Sequence, residues 1–137
     1  MPLLDDVTFR RLARARDLAG ANFREQVRLA DLANEACLSP FHFQRQFAVA
    51  FGETPHEFVT RLRIEHAKQA LATAHQSVTE ICFDSGYSSL GSFSTKFQSM
   101  VGQSPSEYRR NLRSVFAIPG WAWTLYVPNC FMSFYGQ

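Results

Sequence analysis

Residues 51–58, "FGETPHEF", and residues 101–108, "VGQSPSEY", share one skeleton, x-G-x-[ST]-P-x-E-aromatic, at an offset of fifty positions. Each copy has the chemistry of a helix start. The hydroxyl of Thr54 or Ser104 is placed to accept from an orphan amide of the first turn. Pro55 or Pro105 falls at the first helical position, where a missing N–H costs nothing. Glu57 or Glu107 falls three residues after the cap and can reach back to the cap amide, closing a capping box. Gly52 or Gly102 ends the preceding apolar run, as a left-handed residue ends a helix. Each copy therefore reads as helix stop, short turn, helix start.

The repetition extends outward. Phe43 matches Phe93, Phe47 matches Phe97, Leu62 matches Leu112 and Arg63 matches Arg113 at the same offset. Upstream the offset becomes 49, so that "LADLANEACLSP" faces "VTEICFDSGYSS" and Ser39 faces Ser88. The repeated unit is a short helix (28–36 or 78–84), a tight turn ("ACLS" or "SGYS") and a second helix (40–51 or 89–101), which is the helix-turn-helix pattern. Ser77 with Glu80 makes a further capping box, and Gly86 is the residue such a turn tolerates best. Between the units a helix from Pro55 to about Thr73 would span about 28 Å. That is close to the ~34 Å separating reading heads on successive major-groove faces of one duplex. Two copies are too few for a solenoid.

The strings "LADLANEACLSPFHFQRQFAVAFGETPHEFV", "RLRIEHAKQAL" and "ICFDSGYSSLGSFSTKFQSMVGQSPSEYRR" resemble the two-unit DNA-binding domain of AraC/XylS-type transcription regulators over about residues 10–113. The resemblance implies an all-α fold of seven helices. It also implies two helix-turn-helix units on one linker helix and two reading helices in successive major-groove segments of an asymmetric site. Helical periodicity gives the faces independently. Phe43, Phe47 and Phe51 mark the buried side of the first reading helix, so Phe41, Gln44, Arg45 and Ala48 face out, with His42 on the flank. Gln pairs with adenine, Arg with guanine, and an aromatic ring packs on a thymine methyl; in the family pattern these positions carry base contacts. On the second reading helix Phe93 and Phe97 mark the buried side, and Gly91, Ser94, Thr95 and Gln98 face out. Many family members have Arg at the position of Thr95, and Gly91 lowers helix propensity by roughly 1 kcal/mol. The first unit is thus expected to dominate base readout and the second to supply mostly backbone contacts. The expected base contacts are Phe41, Gln44, Arg45, Ser94, Thr95 and Gln98. The expected backbone contacts are Ser39, His42, Ser88, Lys96, Arg109 and Arg110.

Composition bounds the rest. The net charge is only +2, but "RRLARAR" (10–16) and "RRNLR" (109–113) concentrate arginine, and residues 114–137 carry no charge. No secretory signal opens the chain and no apolar run reaches about 18 residues, so a cytoplasmic protein with no membrane span is expected. Cys37, Cys82 and Cys130 are read as reduced core thiols. His42, His56, His66 and His75 show no metal-ligand spacing, and Cys130 lacks the neighbours of a nucleophile. No cofactor and no enzymatic activity are expected, and His66 and His75 fit the surface of the linker helix. The uncharged segment 114–137 cannot form one long helix because of Pro119, Gly120 and Pro128. It reads as an irregular aromatic tail packed on the helical body through Trp121, Trp123 and Phe131, or as a dimer surface, an RNA polymerase contact or an effector pocket. The domain expected is 1–113, a DNA-binding regulator without a separate ligand-sensing domain and with RNA polymerase a further partner. The alternative is a helical interaction module that binds polymerase or another regulator and DNA only weakly.

Overall fold

The computed structural model describes residues 4–116. Seven α-helices succeed one another: α1 (Asp6–Ala21), α2 (Leu29–Glu35), α3 (Pro40–Phe51), α4 (Pro55–Thr73), α5 (Val78–Asp84), α6 (Leu90–Val101) and α7 (Pro105–Phe116), with no strand among the described residues. The expected packing of Trp121, Trp123 and Phe131 lies outside them, as does Cys130.

Most of the starts follow from side-chain caps; α2, which begins after Arg28, has none. Thr54 Oγ1 accepts from the Glu57 N–H at 3.2 Å, and the Glu57 carboxylate accepts from the Thr54 N–H at 2.8 Å. Ser104 with Glu107 and Ser77 with Glu80 close the same reciprocal pair. Gly52 and Gly102 end α3 and α6 at φ 75° and 89°.

Two expectations change at the turns. Ser39 caps α3 by accepting from His42, but the residue that caps α6 by accepting from Ser92 is Ser89. The structural partner of Ser39 is therefore Ser89, not Ser88, and α6 begins at Leu90. Up to Tyr87 the 49-residue offset holds: Leu38 donates to Ala33 O at 3.0 Å, and Tyr87 to Cys82 O at 3.2 Å. Ser88 is thus the extra residue of the second copy. The second change is Cys37, which is an exposed free thiol rather than a core one. It holds φ 58° where the second copy has Gly86 at φ 97°. The turn requires a left-handed residue there, at the surface, so the side chain cannot join the core. Cys82 is buried as expected.

Two hydrophobic cores result. Leu12, Ala15 and Ala19 of α1, Leu32 and Ala33 of α2, Phe43 and Phe47 of α3, and Phe58 and Val59 of α4 form the first. Ile64, Ala67 and Leu71 of α4, Ile81 and Cys82 of α5, and Phe93 and Phe97 of α6 form the second. Each is built on a phenylalanine pair, with ring centroids 5.6 Å and 5.7 Å apart. Burying each such ring contributes about 1.5–3 kcal/mol. Helix α4 belongs to both cores, changing allegiance between Val59 and Ile64.

The cores are also tied by polar contacts. Arg63 of α4 donates from Nε to Phe23 O at 2.7 Å and from Nη2 to Glu25 O at 2.8 Å, and its guanidinium lies 5.6 Å from the centre of the Tyr87 ring. Arg24 donates from Nε to Asp84 O at 2.8 Å and pairs with the Asp84 carboxylate. His66, expected on the linker surface, is half-buried: its Nδ1 is 3.1 Å from Oγ of the fully buried Ser85, and Phe23 stands edge-on to it. His75 lies beyond the end of α4 and is exposed.

Candidate nucleic-acid interface

Each reading helix is set in rotation by its buried phenylalanines. With Phe43 and Phe47 fully buried, α3 turns Phe41, His42, Gln44 and Arg45 to the exterior, while Ala48 is half-buried. Phe41 is 70% exposed, an apolar ring that nothing in the fold uses. The Arg45 guanidinium sits 5.7 Å from the centre of that ring, so the two side chains stand as one flat-faced unit. His42 and Gln46 are hydrogen-bonded at 3.2 Å along the flank. Ser39 is exposed, but its hydroxyl already holds the first turn at 3.3 Å from the His42 amide.

On α6, Phe93 and Phe97 leave Gly91, Thr95, Lys96 and Gln98 exposed. Ser94 is half-buried, less accessible than the face-out position expected of it. Gly91, Ser92, Thr95, Lys96 and Ser99 line one shallow open depression. Short side chains around a single lysine offer few groups that reach far, in contrast to the Phe41–Gln44–Arg45 face. Ser88 is exposed in the extra turn position. Neither Arg45 nor Lys96 has an acidic ion-pair partner among the described residues, so both charges are available outward.

The arginine stripes divide. Arg110 is exposed. Arg109, expected at the DNA backbone, is half-buried and donates to Leu71 O at 3.3 Å and Ala74 O at 3.4 Å, closing the C-terminus of α4 against α7. Orphan carbonyls at a helix end attract such a cation. On α1, Arg10 pairs with Asp6 and Arg16 lies over the Phe51 ring at 4.5 Å.

The first turn of α4 lies between the two reading helices. Exposed His56 lines a 440 Å³ cleft with Gln44, Gln26 and Arg63 on one side. On the other side it lines a groove with Glu53, Arg61, Lys96 and Met100. Sequence patterning gave no signal for this placement, which arises only when both units pack on α4. No group of three His, Cys, Asp or Glu side chains among the described residues is arranged to hold a metal ion. No helix among them is long and apolar enough to cross a membrane.

Comparison with known proteins places this geometry. A helix-turn-helix domain family model matches residues 32–111. An HTH-type transcriptional regulator of Mycobacterium tuberculosis is 36% identical over 83 residues, 61% of this chain and 32% of that protein. An HTH-type transcriptional regulator of Staphylococcus aureus is 32% identical over 93 residues, 68% of this chain and 12% of that protein. The chain thus spans a third or less of these relatives. Among solved structures, the DNA-binding domain of the transcriptional factor AdpA, in complex with a target DNA, superposes with a TM-score of 0.72 at 29% identity, covering 76% of this chain and 94% of that one. An AraC-type transcriptional regulator from Chromobacterium violaceum superposes at 0.68 with 28% identity, covering 81% and 96%. Two capped helix-turn-helix units on one shared helix, matched over more than half the chain, make this protein a member of the AraC-type helix-turn-helix family of transcription regulators.

Proposed function

We propose that the chain is a sequence-specific DNA-binding transcription regulator that acts in the cytoplasm and inserts α3 and α6 into successive major-groove segments of one duplex. The observation that carries this reading is the pair of reading helices. Both are locked by buried phenylalanines, and both turn toward solvent a face that the fold itself does not need. Phe41, Gln44 and Arg45 would read base edges, with Thr95, Gln98 and, less favourably placed, Ser94 on the second helix. His42, Lys96, Arg110 and the exposed Ser39 and Ser88 would hold the backbone, whereas Arg109 is occupied at the end of α4. The richer face of α3 makes the first unit the main reader. Contact with RNA polymerase would be made from surfaces outside these two helices.

Mobility shifts over a range of salt, on random and selected DNA, test the proposal. A selected sequence bound far above random DNA, with affinity falling steeply in salt, is the expected result. Salt-insensitive binding to polymerase without specific DNA binding would instead favour a protein-interaction module.

A further inference from the structure

The two reading units are joined twice: covalently through α4, and non-covalently where the loop before α2 meets the turn before α6. The second junction is closely fitted. A Cβ added to Gly86 would lie 2.9 Å from Arg24 O, 3.0 Å from Phe23 O and 3.0 Å from Arg63 Nε. The backbone at Gly86 therefore packs closely against the Phe23 and Arg24 carbonyls and the Arg63 side chain, with no room for a side chain of its own. Around this contact Arg24 holds the Asp84 carbonyl and carboxylate, Arg63 holds the Phe23 and Glu25 carbonyls, and His66 holds Ser85. The turn so gripped is the one that leads directly into α6 through Tyr87 and Ser88.

We infer that this joint, centred on Arg24, Asp84 and Gly86, determines the half-site spacing the protein accepts, by fixing the angle of α6 relative to α3. The inference rests on the reading that both helices enter one duplex. A helix alone can bend and twist gently over its length; a second attachment away from its axis removes that freedom. One inserted base pair moves a reading face by about 3.4 Å and turns it by about 36°. A joint without slack cannot follow that change, so the second helix loses its groove.

The test is binding of the intact chain to the selected site and to duplexes with one or two base pairs added or removed between half-sites. Arg24→Ala and Asp84→Ala are compared with wild type, each checked for an unchanged helical signal. Simple electrostatics would move the two variants in opposite directions, because one loses a positive and the other a negative charge. The joint predicts that both move the same way. The penalty for altered spacing should shrink by about threefold or more in each, within the range of couplings between contacting residues, while the preferred bases in each half-site stay the same. The double variant should add little to either single change. If wild type discriminates spacing and both folded variants keep its profile, the joint is overturned while two-headed reading stands. Opposite shifts in affinity with an intact spacing profile would overturn it equally. A wild type indifferent to spacing would overturn both the joint and the two-headed reading.

Discussion

Arg45 projects from α3 beside the exposed ring of Phe41, which limits where its guanidinium can point. Preorganisation of this kind favours a bidentate contact with guanine. Arg45→Ala should cost about 1–3 kcal/mol on the selected site and much less on random DNA; equal losses on both, in side-by-side titrations, would reduce Arg45 to a phosphate contact. His66 is half-buried beside Ser85 and Phe23. Burial, aided by the charge of Arg24 and opposed by that of Asp84, lowers its pKa below the ordinary 6.5. The folded state then binds this proton more weakly than the unfolded chain. Above about pH 6.5 the residue is neutral in both states and costs nothing; as pH falls through that value the unfolded state protonates first and stability declines. The melting temperature should therefore drop between about pH 7.5 and about pH 5.5, and His66→Gln should reduce that drop. An equal drop in both proteins would detach it from His66.

Among the elements, the two turns make a natural comparison. Gly86→Ala meets both a left-handed backbone and three atoms at or inside 3.0 Å, and should destabilise by about 1–3 kcal/mol. Cys37 holds the same backbone region in the first copy, where its side chain is exposed. Cys37→Gly relieves the left-handed cost but frees the unfolded chain, so the net change should lie within about 1 kcal/mol of zero. Chemical denaturation of the two variants measures the difference. On α6, Thr95 sits beside Lys96 on an open face, and Arg has slightly better helix propensity than Thr. Thr95→Arg should fold normally, tighten DNA binding and steepen its salt dependence by about one unit of log–log slope for one new phosphate contact. An unchanged affinity and slope would mean that α6 does not approach DNA. The starts of α4, α5 and α7 were readable because a capping box is settled by residues within four positions of one another, whereas the cap of α6 was displaced by the one extra residue, Ser88. The outward faces of α3 and α6 were readable, apart from the half-buried Ala48 and Ser94, because phenylalanines at four-residue spacing fix the rotation. The joint was not: Arg24 with Asp84 and Arg63 with Phe23 lie 60 and 40 residues apart, and nothing local marks a surface arginine as a strut. Arg109 hid for the same reason, its acceptors Leu71 and Ala74 being 38 and 35 residues away.

At the scale of the molecule, the two cores share α4, so they should not fail independently. Phe97→Ala removes a fully buried ring from the second core and should cost about 3–5 kcal/mol. If the cores are coupled, amide exchange in α2 and α3 should accelerate as well, and unfolding should remain a single transition. Unchanged protection in α2 and α3 would show two separately folding units. The same sharing governs how one unit could be exchanged for that of a relative. A cut between Leu62 and Arg63 divides the hydrophobic faces of α4 cleanly, since Leu62 still packs on the first core and the second begins at Ile64. It also places Arg63 in the second half while the carbonyls it grips, Phe23 and Glu25, stay in the first. A grafted second unit would therefore bring an arginine that needs a loop of matching shape, and a hybrid protein would succeed only when residues 23–25 travel with the graft.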